Sequence, residues 1–449
     1  HKNLTNGTTY YYVVTASNDA GESSASSEVS AIRFTTNPSA LTVAPANANI
    51  TISWPAVVGA ASYTLYHRTS TGVTIANGTK IENITGTSYA HTGLTNNTTY
   101  YYILTATDAA GEATASSEVS GMPRKFQKQF LYVADSAAAN LRIRPFTVSM
   151  DTGLVTAGTD ATAPSGIFRL VADPQGRFLY ALNGTLIRPY TVNQTTGALT
   201  AGTDLTAGNI DMELLPNGLF AYLISGQKIT RYAVNQTTGA LESGTDVITG
   251  LGNLLNRITI DSNGSYLYVT DSSNNRLLPY SINSSGGISA GPPTTITGGV
   301  VDLALAPNGN FIFEMSSGGG ANNLIAPFAI SSGTLTAGAT VGQGGSDAGQ
   351  LLSVDGSGLF LYELSGTGLS VYVHSINQTT GALGSAGSVA TSITRMTSEP
   401  TGRFFYTVAS TTLTAYTINS SSGVLTSIGT ATAANSSPSI VHAVILGIP

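Results

Sequence analysis

Cysteine is absent from the 449 residues, which excludes disulfides, thiolate metal sites and cysteine nucleophiles. Charge is scarce as well. Asp, Glu, Lys and Arg make up 9% of the chain against 41% hydrophobic residues, so the sequence lies outside the disordered class, which combines low hydrophobicity with high charge. Net charge is -6 and Lys/Arg runs are lacking, which argues against nucleic acid and anionic membrane as partners. No apolar run reaches the roughly 18 residues of a membrane span, so no membrane insertion is expected. Neither a helical period nor a GxSxG elbow, an HExxH pair or a phosphate-cradling glycine loop can be found. No set of residues carries a metal-ligand spacing, and no cofactor is implied. His1 is neither an initiator Met nor the start of a signal peptide, which reads as a processed or incomplete product.

What the chain does have is a repeat. An aromatic residue, one spacer and a second aromatic recur as Phe130/Tyr132, Phe178/Tyr180, Phe220/Tyr222, Tyr266/Tyr268, Phe311/Phe313, Phe360/Tyr362 and Phe404/Tyr406. Successive first aromatics lie 48, 42, 46, 45, 49 and 44 residues apart, a period that signals a propeller or solenoid. Residues i and i+2 of a strand share a face, so each pair offers two rings to a neighbouring sheet. Six pairs follow a glycine by two residues, in turns reading DPQG, LPNG, DSNG, APNG, DGSG and EPTG. A second turn family, NQTTGAL at Asn193, Asn235 and Asn377 with looser variants, follows each third strand. Between turns the chain alternates apolar and polar residues, as half-buried strands do.

The pair Phe130/Tyr132 has no innermost strand before it, and the apolar alternation of Ser439 to Ile448 stands at the other end without an aromatic pair after it. That asymmetry predicts a C-terminal strand entering the first blade and closing seven blades into a ring, which leaves no sheet edge open. Units such as DPQGRFLYALN followed by IRPYTVNQTTGALT resemble the lactonase-type propellers built from YVTN-like repeats, over roughly residues 130–449.

Upstream, NGTTYYYVVTASNDAGESSASSEVS at Asn6 parallels NNTTYYYILTATDAAGEATASSEVS at Asn96, an offset of 90. The second copy closes a unit over residues 37–123 in which Ile50, Ile52, Trp54, Tyr63, Leu65, Tyr100, Tyr102 and Leu104 take alternating places. This spacing is similar to fibronectin type III modules, two-sheet sandwiches filled by a Trp and tyrosines. Residues 1–36 then hold only the last two strands of such a module, too few for a core, and are expected to pack on the rest of their own module or on strands of another subunit. A short basic linker is expected over residues 124–129. The fold class is therefore all-β: a fragment of one sandwich, one complete sandwich, and a seven-bladed propeller.

Aligned on the turn glycine, the innermost strands show one charged column seven residues before it: Arg169, Asp211, Arg257, Asp302, Leu351 and Arg395, with His442 by analogy in the closing strand. Two readings stay open. Alternating Arg and Asp in successive blades can neutralise one another. Alternatively the column is a ligand site, with arginines gripping a carboxylate or stabilising an oxyanion and Glu213 or His442 as general base. Resemblance to the lactonase-type family implies a site at the channel mouth that uses Arg, Glu and His. Catalytic candidates are thus Glu213, Arg257 and His442; ligand-binding candidates are Arg169, Asp211, Arg257, Asp302 and Arg395. The absent motifs, the tandem modules and the Ser/Thr/Gly-rich surface favour a non-enzymatic protein, extracellular or on a bacterial cell surface. Such a protein would be structural or adhesive, self-associating into a filament or binding surface proteins or glycans. The alternative is a secreted lactone hydrolase. Asn-X-Ser/Thr sites, including Asn193, Asn235 and Asn377, fall mostly in turns, where Asn is favoured on backbone grounds alone.

Overall fold

A computed structural model describes the chain except residues 1–7, 33–37, 39–40, 47–48, 97, 109–110, 124–127, 136–140, 253–254, 318–322, 343–350, 366–369, 391–392, 434–439 and 449. Among the described residues every regular element is a strand. The chain divides into two compact units, His1–Lys125 and Phe126–Pro449.

In the first unit two sheets enclose one core. Thr42–Ala46, Asn49–Ser53 and Ser88–Thr92 form the first; Thr79–Ile84, Ser62–Arg68, Tyr100–Asp108, Gly111–Glu112 and Val119–Gly121 form the second. Alternation puts Ile50, Ile52, Tyr63, Leu65, Tyr102 and Leu104 inward, where they bury with Trp54. The Trp54 and Tyr63 rings meet edge to face at 5.3 Å, the geometry that ring quadrupoles favour. Ahead of this pair of sheets, Thr9–Tyr12 pairs antiparallel with Val29–Ile32, and Ser17–Asn18 with Gly21–Glu22.

The second unit carries seven consecutive sheets of four or five antiparallel strands each. In the first of them Ile440–Ile448 lies beside Lys128–Asp135, with Phe130 opposite Leu446. Lys128 and Gln129, expected in a linker, already belong to this strand, because their backbone groups find partners in Ile448 and Gly447; residues 124–127 lie outside the described set. The innermost strands Arg169–Ala172, Asp211–Leu214, Leu255–Ile260, Gly299–Leu305, Leu351–Val354, Arg395–Ser398 and Ile440–Ile448 touch in that order, and the last touches the first.

The aromatic repeat explains how neighbouring sheets adhere. The first ring of each pair lies over the left-handed glycine in the outer turn of the next sheet: Phe130 over Gly197 (φ 71°), Phe178 over Gly239 (φ 72°) and Phe404 over Gly153 (φ 73°). A methyl group at Gly197 would stand 2.5 Å from Phe130 Cδ1, so the position requires glycine for its conformation and for its lack of a side chain. In five of the pairs the second ring, Tyr132, Tyr180, Tyr222, Tyr362 or Tyr406, donates its hydroxyl to the same glycine's carbonyl, at 2.9 Å for Tyr132 to Gly197 and 2.8 Å for Tyr406 to Gly153. Each such bond contributes about 1 kcal/mol beyond the burial of the ring. The inner turns are held by carboxylates: Asp173, Asp261, Asp355 and Glu399 accept backbone N–H groups of the reversal that follows them.

Candidate functional site

The innermost strands bring the charged column together. Arg169 Nε lies 2.5 Å from Asp211 Oδ1, an ion contact off the N–H axis, and Arg257 Nε donates to Asp302 Oδ1 at 2.9 Å. Each aspartate also reaches forward. Asp211 accepts the Ile258 N–H at 3.3 Å and Asp302 accepts the Leu352 N–H at 2.8 Å, both on the following innermost strand. One connected line thus runs from Arg169 through Asp211, Ile258, Arg257 and Asp302 to Leu352, crossing five sheets. The aspartates are buried, whereas Arg169 and Arg257 keep about a quarter of their side chains in solvent, 23% and 27%.

Electrostatics follows from this arrangement. Burial raises the Asp211 pKa, opposed by Arg169, Arg257 and two backbone N–H groups. Burial also works against the Arg257 charge, but Asp302 and Asp211 more than offset it and its pKa rises. Arg395 goes the other way: burial and then the like charge of Arg257 lower its pKa, with Asp302 opposing. Glu213, two residues beyond Asp211 and on the same strand face, is partly exposed. Burial of its carboxyl pushes it up to about 7, with the charge of Asp211 adding and that of Arg169 opposing. The charge of this group of side chains therefore changes near neutral pH. His442 lies on Ile440–Ile448 with its backbone opposite Ala134; its side chain is outside the described residues. Leu351 adds an apolar member to the column.

Other polar residues escaped sequence reading. Asn256 Nδ2 bridges Ser272 Oγ at 3.1 Å and the Val300 carbonyl at 3.0 Å beside Arg257. Buried Glu363 Oε2 meets His374 Nε2 at 3.0 Å, and Glu314 is buried in the sheet before. Both glutamates stand one residue after the aromatic pair, where other repeats hold Val133, Ala181, Leu223 and Val269; a carboxylate in an apolar column was the available signal. Among the described residues no group of three His, Asp or Glu side chains could hold a metal ion.

No family model matches the chain. In structure it is similar to a protein provisionally described as a 6-phosphogluconolactonase from Bacteroides uniformis, with a TM-score of 0.60, 16% identity, 72% of this chain and 100% of that one covered. It is similar likewise to the periplasmic gluconolactonase of Pseudomonas aeruginosa, with a TM-score of 0.58, 15% identity and 72% and 100% coverage. The chain is an all-β protein with a propeller-like fold shared with lactonase-like proteins. In sequence it is 32% identical over 128 residues to chitinase A1 of Niallia circulans, covering 25% of this chain and spanning 17% of that enzyme.

Proposed function

We propose that the chain is a secreted lactone hydrolase built on a seven-bladed propeller that the C-terminal strand closes. Fibronectin type III-like modules, one complete over residues 37–123 and one partial over residues 1–36, precede it and act as spacers. The observation that carries the reading is Glu213, a partly exposed residue on the strand face of Asp211 and within reach of the Arg169 charge, whose carboxyl burial pushes up to about 7. A general base works best with a pKa close to the operating pH. Glu213 takes a proton from water, and the resulting hydroxide adds to the lactone carbonyl. Arg257 and Arg395 stabilise the tetrahedral oxyanion. Collapse breaks the ring C–O bond, the departing alkoxide takes the proton back from Glu213, and the hydroxy acid leaves. His442 is the alternative base. The likeness to gluconolactonases supports this chemistry, and the periplasmic neighbour accords with an extracellular or cell-surface place in a bacterium.

The test is a panel of sugar and acyl lactones assayed with the chain and with Glu213→Gln. Turnover is expected to rise with pH through about 7 and to fall roughly 100-fold or more in the variant, the usual range for losing a general base, with melting unchanged. Absence of turnover across the panel overturns the proposal.

One observation favours a second reading, a structural or adhesive surface protein that self-associates or binds surface proteins or glycans. Asp211 and Asp302 each tie a guanidinium to a backbone N–H of the next strand, which is what charges kept for folding would do. On that reading Arg257→Ala lowers the melting temperature and no lactone turns over.

A further inference from the structure

Two of the five histidines lie against each other in the first unit. Their place follows from strand alternation. Tyr63 and Leu65 point into the core from Ser62–Arg68, and His67 continues that row two residues on. In the facing sheet Ile50 and Ile52 point inward, and the neighbouring strand Ser88–Thr92 sets Tyr89 opposite Ile52 and His91 opposite Ile50. Cross-strand neighbours share a face, so His91 points inward as well. Each sheet thus contributes a half-buried imidazole where the pattern would continue with an apolar side chain.

The two rings meet across the gap between the sheets, 4.3 Å between centres and inclined at 59°. His91 Nδ1 lies 3.1 Å from the hydroxyl of buried Tyr102, a contact that fixes the ring through one nitrogen and leaves the other for a further partner. His67 packs on the Tyr102 ring at 6.1 Å, and among the described residues its side chain makes no hydrogen bond. Leucine at either position would close the core without desolvating ring nitrogens. Burial lowers the pKa of both imidazoles, and the charge of His67 adds to the effect at His91. Both rings are therefore neutral at pH 7, the form in which imidazole ligates metals.

We propose that His67 and His91 bind one divalent transition-metal ion, Cu2+ in preference to Zn2+, which bridges the two sheets of the sandwich. His91 gives Nε2 while its Nδ1–H is donated to the Tyr102 oxygen, the outer-shell bond that orients a ligating histidine. With metal–nitrogen bonds of roughly 2 Å, two imidazoles on one ion stand about 5 Å apart between ring centres, so a small rotation of half-buried side chains completes the site. Water fills the remaining positions, because the described residues supply no third His, Asp or Glu ligand. Nitrogen donors hold Cu2+ above Zn2+ in the general order of divalent affinities. An ion shared by strands of two sheets binds the folded module and stabilises it.

Titration of the full chain with Cu2+ and with Zn2+, read by calorimetry, decides the matter. One ion of either metal is expected to bind at this site, and the paramagnetic resonance of bound Cu2+ is expected to show two imidazole nitrogens. Zn2+ at about 100 times its dissociation constant is expected to raise the melting of the first unit, followed by Trp54 fluorescence, by roughly 10 °C or more. His67→Gln and His91→Gln are each expected to weaken binding about 100-fold or more, and Tyr102→Phe about tenfold. Metal-free melting at pH 7 checks that each variant folds. No binding by the parent chain, or a resonance showing a single imidazole nitrogen, overturns the proposal. Binding that survives the double substitution His67→Gln/His91→Gln overturns it too, because another group, such as His1 or His442, then holds the ion.

Discussion

Glu314 makes the sharpest quantitative prediction. It sits on Phe311–Ser317 with no solvent exposure, and among the described residues neither carboxyl oxygen has a partner in hydrogen-bond geometry. Its strand neighbour Ile312 and cross-strand partner Ala326 belong to an apolar cluster with Tyr268, Leu277 and Phe328. Burial drives its pKa from 4.5 up to about 8, only moderated by the Ser316 hydroxyl. The folded chain therefore holds this carboxyl neutral at pH 7, while the unfolded chain ionises it above about 4.5. The unfolded state binds fewer protons across that window, so stability falls as pH rises from about 4.5 to about 8. At about 1.4 kcal/mol per pH unit the full window is worth about 5 kcal/mol. Asp211, Asp261 and Asp355 are also raised by burial and add slopes of the same sign, so the comparison must be with Glu314→Gln, which keeps the shape and cannot ionise. Urea midpoints between pH 5 and pH 8, followed by tyrosine near-UV dichroism, provide the assay. The single tryptophan, Trp54, reports on the first unit instead. The variant is expected to lose most of the alkaline destabilisation. Equal pH slopes for the two proteins would refute the reasoning.

Three further outcomes are expected. Gly153→Ala sets a methyl group 2.3 Å from Phe404 Cδ1 at a φ of 73°, and thermal melting of the second unit is expected to record a loss of roughly 3 kcal/mol. Phe313 is the one second ring of a pair without a hydroxyl, so Phe313→Tyr, aimed at the Gly381 carbonyl, is expected to gain about 1 kcal/mol, while Tyr406→Phe loses about as much. His91 is lowered to about 4, by burial and then by the charge of His67, whose ring lies 4.3 Å away. The unfolded chain protonates it first, so the first unit loses stability on acidification from about 6.5 to about 4; Trp54 fluorescence is expected to show this loss, and His91→Gln to remove most of it.

Legibility in the sequence follows the range of the interaction. The turn glycines, the aromatic pairs and the alternation of the innermost strands are local patterns with periods of two or of one repeat, and they place the strands correctly. The target of the aromatic rings is not local. Tyr132 and the Gly197 carbonyl it binds are 65 residues apart, and no pattern within one repeat says that a ring will need a glycine in the next. The column reads as charged because alternation sets Arg169, Asp211, Arg257 and Asp302 on equivalent positions. That each aspartate also binds the next strand's N–H depends on the register between sheets, which side-chain identity does not encode. One missed signal was available: Arg144 with Asp160 and Arg188 with Asp204, both sixteen residues apart, are ion pairs that tie the third strand to the end of the repeat.

The two readings of the column divide along the residues that do both jobs and those that do one. Asp211 and Asp302 hold strands together, so substituting either leaves a guanidinium poorly matched and a backbone N–H unsatisfied, whatever the protein's chemistry. Loss of activity in those variants therefore decides nothing. Glu213 and Arg395 differ. Glu213 makes none of the links between innermost strands, and its pKa of about 7 leaves it free to change charge without unstitching them. Arg395 carries a charge disfavoured by burial and by Arg257. An anion arriving beside it, whether a bound carboxylate or the oxyanion of an opening lactone, relieves that penalty, and the relief grows as the charge develops. A cation whose charge burial disfavours and a carboxyl poised at neutrality, both on innermost strands, are groups able to stabilise a developing anion and to take a proton. A stitch alone has no use for either feature.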